Sequence, residues 1–363
     1  MSAAAAVPAF ARRSHPAPVP ESKKNDDAIF CELLRPEEYA AWDRLVDCSV
    51  HGTVFHYSWW LKTTSPEFQI LVVRDRDFRL LGGLPLPKSR SSFLRLYHGP
   101  LLTPYLGPIF DLTGIANNYD RLFAMRSQGE LLARGLPSFD SFRQLASACG
   151  PDLQGFLWAG FRIQLAYTFR FSAQSSLEEI ASAMSRTHAQ KLSKAKRLKL
   201  TVSKSPDIET LISLNNMIFA RQNRRPPYSR ELVRQLWRAG SAHNRARLYI
   251  AHTAEGLPAA GLLTVNDDRS TYQIISGVDT SMPDIPGGNL VLWAAIQEAI
   301  QEGRDFDFEG SSLRGVEVYY RRWGAAALPV WRIEKSGSMR GALVQAVIQR
   351  RLAASRPAVN HAA

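Results

Sequence analysis

Hydrophobic and polar positions change period along this chain in a way that separates strands from helices. Ile29 to Leu34 reads as a strand, and Pro36 to Asp47, with proline at the first helical position, as a helix. A second helix runs through Tyr57-Ser58-Trp59-Trp60-Leu61. Phe68 to Val73 and Phe78 to Leu84 flank the polar turn Arg74-Asp75-Arg76-Asp77 and form an antiparallel hairpin. Phe93 to Tyr97 supplies a third strand, Leu101 to Pro108 is a loop punctuated by Gly and Pro, and a helix runs from about Asn117 to Ala133. Strand, short helix, Gly160 and strand close this half.

The same order recurs. Leu248 to His252 and Ala259 to Val265 flank a turn at Glu255-Gly256, and Thr271 to Gly277 is the third strand. A second Gly/Pro loop, Ser281 to Asn289, leads into a helix over Leu290 to Gln301. Strand Phe306-Asp307-Phe308, a helix through Tyr319-Tyr320, Gly324 and strand Pro329 to Ile333 complete it. Leu157-Trp158-Ala159-Gly160-Phe161 and Arg322-Trp323-Gly324-Ala325 hold equivalent places before the last strand of each half. Repetition over a domain length points to duplication of one α/β unit rather than a solenoid.

Between the halves, Ser176 and Glu179 have capping-box spacing, and Leu177, Ile180, Ala181 and Met184 share a helix face. The helix is expected to continue through Arg186 to Lys199, a basic run with no acid after Glu179. These signals divide the chain into a tail over 1–28, halves over 29–174 and 175–336, and a C-terminal segment over 337–363. The tail, rich in Ala, Pro, Ser and Lys, has too few large apolar groups to offset ordering entropy and is expected to be unstructured. Its positive charge follows its apolar stretch, the reverse of a secretory signal. Met339 to Ala353 is an amphipathic helix expected to dock on the second half, with a membrane-surface role as the alternative.

Composition narrows the class. With 363 residues, two compact units of roughly 150 residues each are expected. Hydrophobic residues make up 45% and charged residues 21%, ordinary globular values, and no apolar run is long enough to span a bilayer. Three cysteines, Cys31, Cys48 and Cys149, are too few and too far apart for a disulfide framework or a zinc site. They are expected to be buried thiols in a reducing cytoplasm. His51 and His56 are not expected to share a metal. A formal net charge of +12 favours anionic partners: nucleic acid, phosphorylated carriers, coenzyme A or the inner face of a membrane. No Gly-x-Gly-x-x-Gly, Walker A, His-Glu-x-x-His or Gly-x-Ser-x-Gly is present, which leaves nicotinamide, nucleotide-hydrolysis, zinc-protease and serine-hydrolase chemistry unsupported.

Three stretches carry a more specific signal: the basic run Arg186 to Lys199, Pro286-Gly287-Gly288-Asn289-Leu290-Val291-Leu292-Trp293, and Asp307-Phe308-Glu309-Gly310-Ser311 followed by Gly315 to Gly324. On these motifs and the order of elements, the chain resembles the FemABX-type aminoacyltransferases and the CelD/BcsL-type acyltransferases of exopolysaccharide clusters. The resemblance covers about Ile29 to Glu334 and is stronger after Arg186. It implies an α/β fold of tandem GNAT-like (acyl-CoA N-acyltransferase) domains, with mixed, mostly antiparallel sheets flanked by helices, the first half degenerate and the second catalytic. The lysine of the family's Phe-Lys-x-x-Phe-Gly falls on Tyr320, which departs from the phosphate-contacting role of that position in the peptidoglycan-bridge enzymes.

Acyl transfer needs a held acyl donor, a base for the attacking amine or hydroxyl, oxyanion donors and an acid for the leaving group. The resemblance places the pyrophosphate of acetyl-CoA or another acyl-CoA at the helix opened by Gly287, Gly288 and Asn289, where free N–H groups and the helix dipole favour an anion. Asp307 or Glu309, at the C-terminal end of a strand, is the candidate base. Alternation sends both to one face, although Asp307 equally suits a turn with Ser311 and Ser312. Tyr319 or Tyr320 could protonate the leaving thiolate. Arg321 and Arg322 are candidates to grip a phosphate or carboxylate, and Arg224 and Arg225, in the loop Asn223 to Tyr228, to line the substrate cleft. The leading expectation is acyl-CoA-dependent N- or O-acyl transfer to a sugar or lipid-linked acceptor of the cell envelope, by a cytoplasmic protein, with peripheral attachment to the inner membrane as the alternative placement. The alternatives are an aminoacyl-tRNA donor bound by the basic helix, and a non-catalytic adaptor.

Overall fold

The computed structural model describes residues 29–65, 67–89, 93–310 and 314–354. The tail over 1–28 and Ser311 and Ser312, the expected turn partners of Asp307, lie outside them.

In the first half, β1 (Ile29–Leu33), β2 (Phe68–Asp75) and β3 (Leu80–Pro87) are antiparallel, and a short β5 (Ile109–Phe110) adds to β3. Helices α1 (Tyr39–Cys48) and α2 (Ser58–Thr64) follow β1, and α3 (Asn118–Arg134) follows β5. The expected helix from Pro36 begins with a 3-10 turn over Pro36–Glu38. The expected third strand is β4 (Leu96–His98), joined in parallel to β6 (Ser141–Leu145). Helix α4 (Gln154–Trp158) and β7 (Arg162–Phe171) close the half.

The linking helix divides into α5 (Leu177–Ala183) and α6 (Arg186–Arg197). Met184 takes extended backbone, and the Ser185 side chain accepts the His188 N–H as a new N-cap, so local capping chemistry breaks the expected single helix. After β8 (Thr201–Lys204), two further helices form, α7 (Ile208–Arg221) and α8 (Arg230–Ala242). Then come β9 (Ala246–His252), β10 (Pro258–Asn266), β11 (Ser270–Val278), α9 (Gly287–Gln301), β12 (Asp305–Asp307), α10 (Arg314–Arg321), β13 (Ala326–Ser336) and α11 (Met339–Ala354).

A nine-stranded sheet, ordered β4-β6-β13-β7-β12-β11-β10-β9-β8, passes through both halves. The last strand of the second half, β13, inserts between β6 and β7 of the first, while β7 also pairs with β12 of the second. Each half thus completes its sheet with a strand of the other. The core is correspondingly shared: Trp42, Phe55, Trp60 and Tyr105 pack with Leu236, Val265, Tyr272 and Val330. The Asp267 carboxylate ties the halves by accepting from the Val54 N–H at 3.1 Å and the Tyr272 hydroxyl at 2.9 Å. Burying such residues at about 25 cal/mol per Å² of apolar surface makes the junction as cohesive as a domain interior. Among the described residues, no helix is long and apolar enough to cross a membrane.

The cysteines depart from expectation. Cys48 and Cys149 are exposed and Cys31 half-buried, all three as free thiols.

Candidate active site

The site forms where β12 stops. β11 pairs with β12 in parallel only from Ser270 to Tyr272, then runs on from Gln273 to Val278 without that partner. A cleft of about 430 Å³ opens there, bounded by β11, the loop from Asp279 to Pro286, the first turn of α9, Lys191 and Lys194 of α6, Arg221 of α7 and Tyr319 of α10. This is the C-terminal end of a strand at a point of splay, where α/β sheets bind ligands.

Helix α9 starts at Gly287 rather than at Leu290, so the glycines form its first turn. Pro286 provides no side-chain cap, leaving the positive end of the helix open to an anion. The equivalent helix of the first half is closed: Asn117 accepts the Asp120 N–H at 2.8 Å. The two glycines do different work. A Cβ on Gly287 would lie 3.0 Å from Ala260 Cβ and 3.2 Å from Ala259 Cβ, so this residue permits close helix–strand packing. Gly288 lines the cleft, as does Asn289, whose buried Nδ2 has no hydrogen-bond partner. Gln273 Oε1 is a second buried, unpartnered atom on the cleft wall. Open N–H groups, free amide atoms and three cationic side chains fit a phosphate-bearing donor with an amide-containing arm.

Asp307 and Glu309 have opposite characters. The Asp307 carboxylate is fully buried and saturated. It accepts from Tyr105 Oη at 3.2 and 3.1 Å, Thr168 Oγ1 at 2.6 Å, Arg170 Nη2 at 2.9 Å and the Glu309 N–H at 2.7 Å. Burial opposes the Arg170 charge, yet Asp307 outweighs it and the guanidinium is held more firmly protonated. Asp307 therefore organises the turn after β12 and presents no free lone pair to a substrate.

Alternation does not carry through to Glu309, because the strand ends at Asp307 and Glu309 takes φ +62°. Such left-handed backbone in a non-glycine residue costs on the order of 1–2 kcal/mol. The following Gly310 is also left-handed, and a Cβ there would fall 2.1 Å from Tyr167 O. The turn places Glu309 Oε1 in a buried position with no hydrogen-bond partner. Burial, then the Asp307 charge, push its carboxyl well above the usual carboxylate range. Its charge is felt by Tyr228 and Tyr320, whose hydroxyls are both raised, first by burial. Tyr320 packs against Phe308 with the rings tilted and their centroids 5.0 Å apart, and Tyr319, pushed up to about 12 by burial, lines the cleft. Both phenols stay protonated at neutral pH.

The expected arginines do not line this cleft. Arg321 and Arg322 point outward, with Arg321 paired to Glu317 of its own helix at 2.9 Å, because Tyr319 and Tyr320 take the inward face of α10 and Trp323 is buried just after it. Arg224 and Arg225 are exposed in the loop between α7 and α8, and it is Tyr228 of that loop that reaches the Glu309 side, its hydroxyl 3.2 Å from Asn215 Oδ1. Lys191, Lys194 and Arg221 supply the cleft's positive charge, and Lys194 spans its mouth to Asp284 at 3.7 Å. His188 anchors α6 in place, fully buried with its ring 5.1 Å from Tyr319 and 5.0 Å from Trp323. His51 and His56 are buried and lowered to about 4 and about 3 by burial, so both stay neutral. No group of side chains suited to a metal ion occurs among the described residues. Gln273, Tyr105, Thr168 and Arg170 were not legible as site residues: each is an ordinary strand or loop residue until β7 and β12 are paired.

Residues 181–321 match the family described as acetyltransferase (GNAT) domain. No curated protein matches the chain in sequence. Among solved structures, the chain is similar to FemX, with TM-score 0.65 and 13% identity over 87% of this chain and 99% of that one. It is also similar to L-PGS from Bacillus licheniformis (TM-score 0.53, 10% identity, 89% and 97% covered). A tandem GNAT protein from the clavulanic acid biosynthesis pathway gives TM-score 0.50 at 12% identity, with 85% and 99% covered. At these identities the likeness is one of fold, and the fold is that of tandem GNAT proteins.

Proposed function

We propose that this chain, whose residues 181–321 match the acetyltransferase (GNAT) domain, moves an acyl group from an acyl-coenzyme A to an amine or hydroxyl of a cell-envelope or exopolysaccharide precursor. The observation that carries the reading is the cleft at the uncapped, glycine-opened start of α9, supported by a carboxyl after β12 whose buried Oε1 has no hydrogen-bond partner. Gly288, Asn289, Lys191, Lys194 and Arg221 would hold the donor's phosphates, and the donor supplies the activated thioester. Glu309 takes the proton of the attacking amine or hydroxyl as the new C–N or C–O bond forms. Its raised pKa makes it a stronger base than a solvated carboxylate. As the C–S bond breaks, Tyr319 on the cleft wall, or its neighbour Tyr320, gives its proton to the departing sulfur and recovers one from solvent. Asp307 holds the turn that aims Glu309. The resemblance in fold to FemX and L-PGS supports an envelope precursor as acceptor.

Thermal stability with and without acetyl-coenzyme A tests the donor. At a hundredfold excess over its Kd, a ligand bound only to the folded state adds about 2.7 kcal/mol. The wild type is expected to show this rise and Gly288→Glu to lose it, while Gly287→Glu reports on folding because it meets Ala259 and Ala260. Absence of a rise with any acyl-coenzyme A ester would refute the donor assignment. The exposed basic side of α6, with Arg186, Lys191, Lys196 and Arg197, and Lys199 just after it, favours a second reading in which the donor is an aminoacyl-tRNA. Loss of activity after ribonuclease treatment distinguishes it.

A further inference from the structure

Helix α11 packs its Gly341, Val344, Gln345 and Ile348 side towards the protein. Gln345 accepts from Ser336 Oγ at 2.9 Å and donates to Ser141 Oγ at 3.2 Å, fixing the helix over β6 and β13. The opposite side should then be polar, as in an ordinary surface helix. It is not. Met339, Leu343 and Val347 stand one turn apart on a single stripe and are 89%, 69% and 48% exposed, with Ala342 and Ala346 exposed beside them. The helix is thus apolar on both sides while only one of them has a partner.

The charges around the stripe indicate what covers it. Met339–Ala354 contains Arg340, Arg350 and Arg351 and not one Asp or Glu. Exposed Arg340 and Arg350 flank the apolar stripe near its two ends. Asp140 faces the helix start, but its carboxylate is engaged by Ser338 Oγ at 2.6 Å and the Arg95 N–H at 2.9 Å. A second copy of a chain carrying a net charge of +12 would bring like charges together at this stripe. An anionic bilayer surface does the reverse: its headgroups attract the arginines, and its acyl boundary takes up Met339, Leu343 and Val347.

We propose that the outward stripe of α11 is a docking surface for an anionic lipid bilayer, lying in the interface plane without crossing it. The proposal is independent of the acyl-transfer reading, because it concerns no cleft residue. The full-length protein is to be floated with phosphatidylcholine vesicles, with and without phosphatidylglycerol, at low and high salt. Wild type is expected to bind the phosphatidylglycerol vesicles only and to be released by salt. Leu343→Glu with Val347→Glu is expected to weaken partitioning by about tenfold or more. Both side chains being exposed, its melting temperature should stay at the wild-type value. Arg340→Gln with Arg350→Gln should weaken it less and flatten the salt dependence. Failure of wild type to bind anionic vesicles, or binding by the Leu343/Val347 variant equal to wild type, overturns the proposal, the latter by assigning the lipid contact to α6. A concentration-dependent dimer in sedimentation velocity that the same variant abolishes also overturns it, by making the stripe a contact between copies.

Discussion

Glu309→Gln separates the two roles of the buried carboxyl, and its effect on stability can be measured without knowing the acceptor. In the folded chain, burial and the Asp307 charge raise the Glu309 pKa above the roughly 4.3 of an unfolded chain. The folded state therefore holds this proton more tightly. Glu309 favours folding fully below its unfolded pKa, and that contribution is lost as pH rises through the folded pKa. Above that range the protein keeps a charge in a buried position where Oε1 has no partner. An unsatisfied buried group costs about 1–3 kcal/mol, and each tenfold change in proton affinity corresponds to about 1.4 kcal/mol. Glutamine carries no such charge. Urea unfolding should show Glu309→Gln to be more stable than wild type by about 1–3 kcal/mol near pH 8, with the advantage gone near pH 4. Once an acceptor is in hand, the variant should lose about 10²- to 10⁴-fold in kcat/KM. The wild-type rate should rise with pH as the carboxyl ionises. A stability difference that is the same at both pH values, or transfer within threefold of wild type, would refute the assignment of Glu309 as a buried, functional base.

Asp307→Asn should destabilise the fold by about 3–5 kcal/mol in the same assay, because Arg170 is left with Asp305 alone at 3.0 Å; a cost below about 1 kcal/mol would count against the organising role of Asp307. Tyr105→Phe removes the hydroxyl that reaches Asp307 from the first half and should cost about 1 kcal/mol, seen as a lower urea midpoint. Alkylation followed by mass spectrometry near pH 8 should modify Cys48 and Cys149 well before Cys31, which is half-buried and whose thiol burial raises to about 11. Equal labelling of all three would contradict this placement.

Most of the elements could be read from the chain alone, because they rest on local rules. Two apolar runs on either side of a polar turn marked the hairpin β2–β3, and the Ser176/Glu179 capping box marked the start of α5. The Gly/Pro loop before α9 and the duplicated order of elements were equally legible, and with them the tandem fold. A local signal also failed once: Ser185 starts a new helix inside a run whose basic residues read as continuous.

Which acid is left free emerges only once the chain has folded. Asp307 and Glu309 are both carboxylates at the end of one short strand, and nothing local distinguishes them. Tyr105, Thr168 and Arg170, from 202, 139 and 137 positions away, converge on the first, while Oε1 of the second is buried with no hydrogen-bond partner. The exchange of β7 and β13 was hidden for the same reason. Strand pairing is a contest among distant segments of similar hydrophobicity, and register and burial settle it only when the whole sheet has assembled.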